Sequence, residues 1–172
     1  MKRLFLLVTV LCLALAPLAG AEIIQLSEPI PGLDMTIVLP DEAVGDLQSQ
    51  QEWHWLRFTH EGPTYDLTIA PSDLFEGKNL SELSHEECQR LADAMANDAD
   101  QPKVSFLTLE NGLYAILLEE ETERNDFAVL ETLVNGYFIG LHVRYESYEK
   151  LSAADLENML AIMGSIEITA AE

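Results

Sequence analysis

The sequence predicts an α+β fold, in which an antiparallel β-sheet of about six to seven strands packs with helices. Two observations predict this class. Asn111-Gly112 and Asn135-Gly136 each lie between apolar runs, and Asn-Gly accepts the positive φ angles of the type I′ turns that join antiparallel strands. Two further segments space their apolar residues with a helical period. A meander of four strands is therefore expected between two helices.

The first predicted strands lie upstream of both helices. Met35–Leu39 is a compact apolar strand, and the acidic, glutamine-rich stretch Asp41–Glu52 that follows it is predicted as a loop. Trp53–Thr59 and Tyr65–Ala70 are rich in aromatic and β-branched residues and are separated by a Glu-Gly-Pro turn signal. These two segments should form a hairpin.

A helix is predicted after this hairpin, because apolar residues recur on one side of a helical wheel and charged residues on the other. Ser84 and Glu87 have the spacing of a capping box, which competes with Asn79 or Ser81 for the helix start. The side that should pack on the sheet contains Leu80, Leu83, Leu91, Ala94 and Met95.

The meander and a closing helix complete the predicted domain. The last helix should span Ala153–Met163, with Ser152 as its N-cap and Gly164 at its end. Ser165–Ile168 should return as a short edge strand. The four meander strands are expected at Val104–Leu109, Leu113–Glu120, Phe127–Val134 and Tyr137–Tyr145.

The first twenty-one residues have the pattern of a secretory signal peptide. Met1-Lys2-Arg3 is a basic start, Leu4–Leu15 is an apolar run, and Ala19-Gly20-Ala21 is a small-x-small cleavage signal. A transmembrane anchor needs about 20 apolar residues, more than this run provides. We expect cleavage after Ala21, which leaves a single exported α+β domain at residues 22–172, periplasmic or secreted and without a membrane anchor.

The composition is strongly acidic, with thirty Asp and Glu residues against nine Lys and Arg and a formal net charge of −21. Loss of Lys2 and Arg3 with the leader changes this charge to −23. Such a surface repels nucleic acid and anionic lipid, and it favours either simple solubility or a protein partner with a basic surface. Cys88 is the one cysteine of the expected mature domain, so no disulfide is expected within it.

Three segments carry a resemblance to a known fold family: Met35–Pro40, Asn111–Ala115 and Met163–Ile166. Together with the order of the elements, they make the chain resemble the PsbP/Mog-like superfamily, whose fold is an antiparallel sheet with helices packed across it. The resemblance implies an α/β/α sandwich over nearly the whole mature domain. By analogy with exported bacterial members, it also implies a non-catalytic binding or assembly role. It implies no site residue.

The segment Trp53-His54-Trp55 is the local feature that most favours binding. Alternation along a strand places Trp53, Trp55 and Arg57 on one face and His54 with its apolar neighbours on the other. If no helix covers the first face, it presents two indoles and a guanidinium to a protein partner, a peptide or a sugar. If helices cover both faces, the indoles belong to the core, which is the expectation for a helix-covered sheet.

Carboxylates concentrate in the hairpin that joins the second and third meander strands. Calcium binds oxygen ligands of this kind, although the Asp-x-Asp-x-Asp-Gly spacing of a calcium loop is missing. A solvated charged loop is the alternative interpretation. The residues that could contribute to a cation site are Glu119, Glu121, Glu123 and Asp126.

The histidines and the cysteine include one pair with the spacing of metal ligands. His85 and Cys88 are three apart in the first helix, where an imidazole and a thiolate could share one turn, but Cys88 falls on the apolar side, which favours a buried structural thiol. His54 and His60 are roughly 20 Å apart along one strand at about 3.3 Å per residue, so they cannot share an ion. His142 lies on another strand. We expect isolated histidines and no cofactor.

Three classes of function follow from these features. The leading expectation is an exported, non-catalytic binding or assembly module with an unknown partner. The alternative is a small-ligand or metal-ion carrier that uses the Trp53/Trp55 face or the acidic hairpin. A hydrolase is the third class, and the sequence lacks the Gly-x-Ser-x-Gly turn that would favour it.

Overall fold

The structure, a computed structural model, describes residues 21–41, 43–50, 53–96, 102–120, 127–145 and 149–171. In these ranges the chain forms an α+β arrangement of ten strands, one 3₁₀ turn (Leu80–Glu82) and two helices, α1 (His85–Met95) and α2 (Ala153–Gly164). The strands are β1 Glu22–Ile30, β2 Leu33–Leu39, β3 Val44–Gln50, β4 Trp53–Thr59, β5 Thr64–Pro71, β6 Lys103–Thr108, β7 Tyr114–Glu120, β8 Phe127–Val134, β9 Tyr137–Arg144 and β10 Glu167–Ala170.

Two antiparallel sheets are formed by the described strands. The large sheet has seven strands in the order β3-β4-β5-β9-β8-β7-β6, which confirms the predicted hairpin and the predicted meander. The small sheet has the order β1-β2-β10 and was not predicted. The sequence of β1 does not alternate with a period of two, because the register shifts between Leu26 and Ile30, where Glu28 has a φ of 46°.

The small sheet and α2 pack on one face of the large sheet and form the main core. Phe58 and Tyr65 stack there with ring centroids 5.1 Å apart. Ser152 caps α2 as predicted, since its hydroxyl accepts a hydrogen bond from the backbone N–H of Asp155. Other fully buried residues of this core include Ile30, Met35, Ile37, Leu67, Leu130, Leu141, Met159 and Met163.

The helix α1 packs on the opposite face of the large sheet, over β7 and β8. Cys88 and Ala92 of the helix contact a cluster that includes Ile116 and Leu133. Of the competing helix starts, Ser84 is the N-cap of α1, because its side chain accepts a hydrogen bond from the backbone N–H of Glu87. Residues 80–82 form a separate 3₁₀ turn, so Leu80 and Leu83, which were expected on the helix, precede it.

Two local predictions were wrong. The predicted loop Asp41–Glu52 contains β3, an edge strand that pairs with β4; an edge strand bonds through its backbone on one side and needs no apolar pattern. The turn at Asn111-Gly112 is not type I′, because positive φ occurs at Gly112 (85°) and not at Asn111. By contrast, Asn135 and Gly136 have φ of 48° and 81°, as a type I′ turn requires.

The predicted signal peptide lies outside the described residues, apart from Ala21. None of the helices in the described ranges has the length and apolar character that crossing a bilayer requires.

Candidate functional site

The helix α1 covers only part of its face of the large sheet. Beyond it, Trp53 is 56% exposed, and the side chains of Arg57 and Arg144 are 43% and 53% exposed. We call this uncovered surface the open face. It comprises Trp53, Trp55 and Arg57 on β4, Asp66 and Thr68 on β5, Glu131 on β8, and Gly140, His142 and Arg144 on β9.

The strand register arranges the open face in rows. Trp55 pairs with Thr68, Thr68 with Gly140, and Gly140 with Glu131, so one row crosses four strands. The adjacent row runs through Arg57, Asp66 and His142. Small residues occupy the middle of the first row, which makes the centre of the open face its lowest part.

Asp66 organises the charged row. Its carboxylate accepts hydrogen bonds from Arg57 Nε (2.6 Å), Arg57 Nη2 (3.0 Å) and Trp55 Nε1 (3.3 Å). The Arg57 guanidinium lies over the Trp55 ring, 4.6 Å from its centroid, as expected for a cation–π contact. Arg144 approaches from β9, with Nη2 3.6 Å from Asp66 Oδ2. The carboxylate of Asp66 therefore contacts two arginines and one indole.

The side chains of Glu131 and His142 converge above Gly140. A Cβ at position 140 would lie 3.8 Å from His142 Nε2 and 3.9 Å from Glu131 Oε1. Glycine within a strand often marks such a close approach. Neither side chain makes a hydrogen bond within the described part of the chain. Both therefore retain hydrogen-bonding capacity on the open face.

The electrostatics of this pair depart from those of surface residues. Burial raises the pKa of Glu131 to about 7, because the carboxylate is desolvated where it lies in the sheet. The pKa of His142 is lowered, first by desolvation and then by Arg144, while Asp66 partly offsets both effects. Near neutral pH, Glu131 exchanges between its acid and its anion, and His142 is neutral. The pair can thus donate and accept hydrogen bonds.

The predicted grouping of Trp53, Trp55 and Arg57 on one face agrees with the strand register. The expectation that both indoles belong to the core was wrong for Trp53, which is exposed, while Trp55 is half-buried. The reason is that α1 packs over β7 and β8 and does not extend to β4. Whether these residues bind a ligand stays a prediction.

The predicted cation site is only partly described. Glu119 lies at the end of β7, where its carboxylate pairs with Lys103 Nζ at 2.7 Å. Glu121, Glu123 and Asp126 fall outside the described residues. Within the described ranges, no three His, Cys, Asp or Glu side chains come together as a metal site would require.

The histidines are dispersed, as expected. His54 is directed to the core side of β4, His60 follows that strand, and His142 is on the open face. Cys88 is buried at 4% exposure, and its Sγ lies 3.8 Å from the carbonyl oxygen of Leu80. Burial raises the pKa of this thiol, and the charge of Glu87 raises it further.

Sequence reasoning did not single out Glu131, Gly140 or Asp66. Two signals were available: a carboxylate in the middle of the apolar strand Phe127–Val134, and a glycine in the middle of Tyr137–Arg144. Either feature is unusual in a central strand. Their juxtaposition depends on the pairing of β8 with β9, which the Asn135-Gly136 turn indicates but periodicity alone does not.

Comparison with known proteins adds information about the fold. No protein-family profile and no curated protein sequence matches the chain. A similar solved structure is LpqN, a protein involved in cell envelope biogenesis of Mycobacterium tuberculosis. The likeness has a TM-score of 0.50 at 14% sequence identity and covers 87% of this chain and 91% of the LpqN chain. At this identity, the comparison shows a shared fold and transfers no residue role.

Proposed function

We propose that this chain is an exported, non-catalytic binding module of the cell envelope and that the open face is its binding surface. The observation that carries the proposal is the composition of that face. The solvated face of an antiparallel sheet usually carries polar residues and no large apolar side chain. Here an exposed indole, two arginines, a neutral histidine and a carboxyl of raised pKa lie on three strands, β4, β9 and β8, of one sheet face.

The shape of the open face supports binding in preference to catalysis. Acid–base catalysis by Glu131 and His142 would need a substrate held in a water-excluding cleft. The open face is the surface of a sheet, and Arg57, His142 and Arg144 border it with side chains that reach solvent. Such a surface suits recognition of a partner or ligand that covers it on binding.

Export and fold class belong to the same proposal. The pattern of residues 1–21 supports a cleaved leader, and the likeness to an envelope protein is compatible with that location. We place the chain among the exported bacterial members of the PsbP/Mog-like superfamily, with helices on both faces of the large sheet as support.

A second candidate is a protein partner with a basic surface, which the net charge of −21 favours. Such a partner would contact the acidic surface outside the open face, and electrostatics would mainly accelerate its association. The association rate of an isolated partner should then fall as salt shortens the Debye length from about 10 Å at 0.1 M to about 3 Å at 1 M. A rate that is indifferent to salt would exclude this mode.

Site-specific photocrosslinking in the exporting cell tests the proposed surface. The photoreactive residue p-benzoyl-phenylalanine replaces Trp53, which is exposed on the open face, or Ile23, which is 62% exposed on the small sheet. We expect a discrete adduct with an envelope component from position 53 and none from position 23. Adducts of equal yield from both positions, or none from position 53, would contradict the open face as the binding surface.

A further inference from the structure

We propose that Asn111 is a site of spontaneous deamidation, which converts its side-chain amide to a carboxylate and so releases the tip of the β6–β7 hairpin from α2. The second Asn-Gly pair of the chain, Asn135-Gly136, stays unmodified while the protein is folded. This inference is independent of the open face and of its ligand. It follows from the different ways in which the fold holds the two pairs.

Deamidation of an Asn-Gly pair is a reaction of the chain with itself and then with water. The backbone nitrogen of the glycine attacks Cγ of the asparagine and forms a succinimide, while the bond from Cγ to the amide nitrogen breaks. That nitrogen takes up the proton of the glycine N–H and leaves as ammonia. Water then adds to one of the two ring carbonyls and breaks its bond to nitrogen, which gives aspartate or isoaspartate. Asparagine is accordingly one of the thermolabile residues, and glycine favours the reaction because no Cβ obstructs the ring.

The pair Asn111-Gly112 is held mainly through the asparagine side chain. Its Nδ2 donates to the carbonyl oxygens of Met163 at 2.9 Å and of Ile166 at 3.0 Å. Its Oδ1 accepts a hydrogen bond from the backbone N–H of Leu113 at 3.1 Å. The amide must leave these partners before its Cγ can meet the nitrogen of Gly112.

The backbone around Gly112 is open. The residue is exposed, and a Cβ at this position would meet no atom within 4 Å beyond its chain neighbours. The Gly112 N–H donates to the carbonyl oxygen of Leu109 at 2.9 Å, within the same turn. Once the Asn111 amide has left α2, the turn can therefore rearrange into the succinimide without moving another element.

The pair Asn135-Gly136 is held through its backbone instead. The N–H of Gly136, which would be the nucleophile, donates to the carbonyl oxygen of Lys78 at 2.7 Å. The N–H of Asn135 donates to Asn79 Oδ1 at 3.0 Å. Gly136 is buried, and a Cβ there would lie 2.6 Å from the backbone nitrogen of Gly77. The Asn135 side chain is exposed, so the packed backbone is what prevents the reaction.

Release of the Asn111 amide therefore disrupts less of the fold than release of the Gly136 nitrogen. The first breaks side-chain hydrogen bonds at an exposed hairpin tip, whereas the second separates a buried turn from the segment after β5. Exposed tips open locally at low free energy, and buried backbone opens at a free energy closer to that of global unfolding. Asn111 should accordingly react from brief local openings of the native protein.

The product at position 111 cannot restore the contact with α2. A carboxylate has no N–H group to donate, and an oxygen in the place of Nδ2 faces the carbonyl oxygens of Met163 and Ile166, which repel it. Isoaspartate also adds a methylene group to the backbone of the turn. The modification therefore leaves the end of α2 without its donor for as long as the chain exists.

Peptide mapping by mass spectrometry tests the proposed site. The purified protein is incubated in mildly alkaline buffer, which favours loss of the proton from the attacking nitrogen, and is then digested. We expect the acid form and isoaspartate to accumulate in the peptide with Asn111 at least about fivefold faster than in the peptide with Asn135. Equal rates, or a faster reaction at Asn135, would overturn the assignment.

The same incubation in guanidinium chloride separates the fold from the local sequence. In the unfolded chain both pairs lose their partners, so their rates should agree within about threefold. The rate at Asn135 should rise much more on unfolding than the rate at Asn111. If Asn111 reacts faster by the same factor with and without denaturant, the local sequence and not the fold sets the difference, and the inference fails.

Two variants test the release of α2. Asn111→Asp reproduces one product and should lower the melting temperature by about 4 °C or more, whereas Asn135→Asp, at an exposed side chain, should lower it by less than about 2 °C. Backbone hydrogen exchange at Ser165 and Ile166, at the end of α2, should be faster in Asn111→Asp. An unchanged melting temperature and unchanged exchange in this variant would overturn the release of α2.

Discussion

The side chain of Asn111 donates a hydrogen bond from Nδ2 to the carbonyl oxygen of Met163, at 2.9 Å. The same nitrogen donates to the carbonyl oxygen of Ile166 at 3.0 Å. These bonds tie the tip of the β6–β7 hairpin to the C-terminal end of α2, where helix carbonyls lack intrahelical partners. The oxygen of the same amide accepts a hydrogen bond from the backbone N–H of Leu113 at 3.1 Å, so the Asn111 side chain joins its own turn to α2. The turn is also closed by the bond from Gly112 N–H to the Leu109 carbonyl oxygen.

Substitution of Asn111 should therefore destabilise the contact between the meander and α2. We expect Asn111→Ala to lower the free energy of unfolding by about 1–3 kcal/mol, because two carbonyl groups lose the Asn111 amide as a donor and the backbone N–H of Leu113 loses its acceptor. Urea denaturation measures this change. Glu110→Ala alters the neighbouring exposed residue of the same turn and should change stability by less than about 0.5 kcal/mol. Similar losses in both variants would show that the turn itself, and not the bonds to α2, is responsible.

The two Asn-Gly turns should respond differently to the same substitution. Gly112 and Gly136 have φ of 85° and 81°, so alanine pays a conformational cost of about 1 kcal/mol at either position. A Cβ at Gly136 would also lie 2.6 Å from the backbone nitrogen of Gly77 and 2.9 Å from the carbonyl oxygen of Phe75, whereas a Cβ at Gly112 meets nothing within 4 Å.

We accordingly expect Gly136→Ala to cost about 1–3 kcal/mol more than Gly112→Ala, since overpacking against backbone cannot relax by a rotamer change. Thermal denaturation of the two variants provides the comparison. Equal melting temperatures would contradict the close packing of the β8–β9 turn on the segment after β5. Valine at either glycine should be worse than alanine, because a β-branched residue tolerates positive φ poorly.

Much of the large sheet could be predicted from the sequence, because the residue pattern of a strand reflects whether its two faces are buried. Phe127–Val134 was predicted with the bounds that the structure shows, and its partner ends only one residue earlier than expected. Both strands are central, and central strands of a covered sheet are nearly continuous apolar runs. The edge strand β3 has no such constraint, and its polar sequence was interpreted as a loop.

The open face was less predictable than the fold. Side chains alternate along a strand, so the sequence alone places Trp53, Trp55 and Arg57 on one face. Their exposure depends on how far α1 extends across the sheet. Glu131 and His142 come from a hairpin that the sequence indicates, but Asp66 lies on β5, whose pairing with β9 is tertiary. A single sequence gives the residues of such a site, but it does not give the order of the strands that brings them together in the sheet.

Cys88 should react slowly with thiol reagents in the native state. Its side chain is buried between α1 and the sheet, and burial raises the pKa of the thiol and so lowers the thiolate fraction. We expect the rate of labelling by an aromatic disulfide to rise steeply once urea unfolds the protein. A matched control is Ser81→Cys combined with Cys88→Ala, which moves the thiol to an exposed position. Native Cys88 that labels as fast as this control would contradict its burial.

Glu131 should make the stability of the fold depend on pH in a defined direction. Burial raises the pKa of its carboxyl from the ordinary value of 4.5 to about 7, so between these values the folded state holds a proton that the unfolded state has released. This contribution to stability is complete below pH 4.5 and is lost as the pH rises through 7. The lowered pKa of His142 has the opposite effect, since its contribution is lost as the pH falls.

The variant Glu131→Gln separates the two effects, because it keeps the size of the side chain and removes its charge. Near pH 5 the variant and the natural protein should have similar free energies of unfolding, and near pH 8 the variant should be more stable by about 1–2 kcal/mol. Urea denaturation at both pH values measures the difference, and Glu157→Gln on the exposed side of α2 is the control that should show none. A stability difference between Glu131→Gln and the natural protein that is the same at both pH values would mean that Glu131 is solvated as an ordinary surface carboxylate.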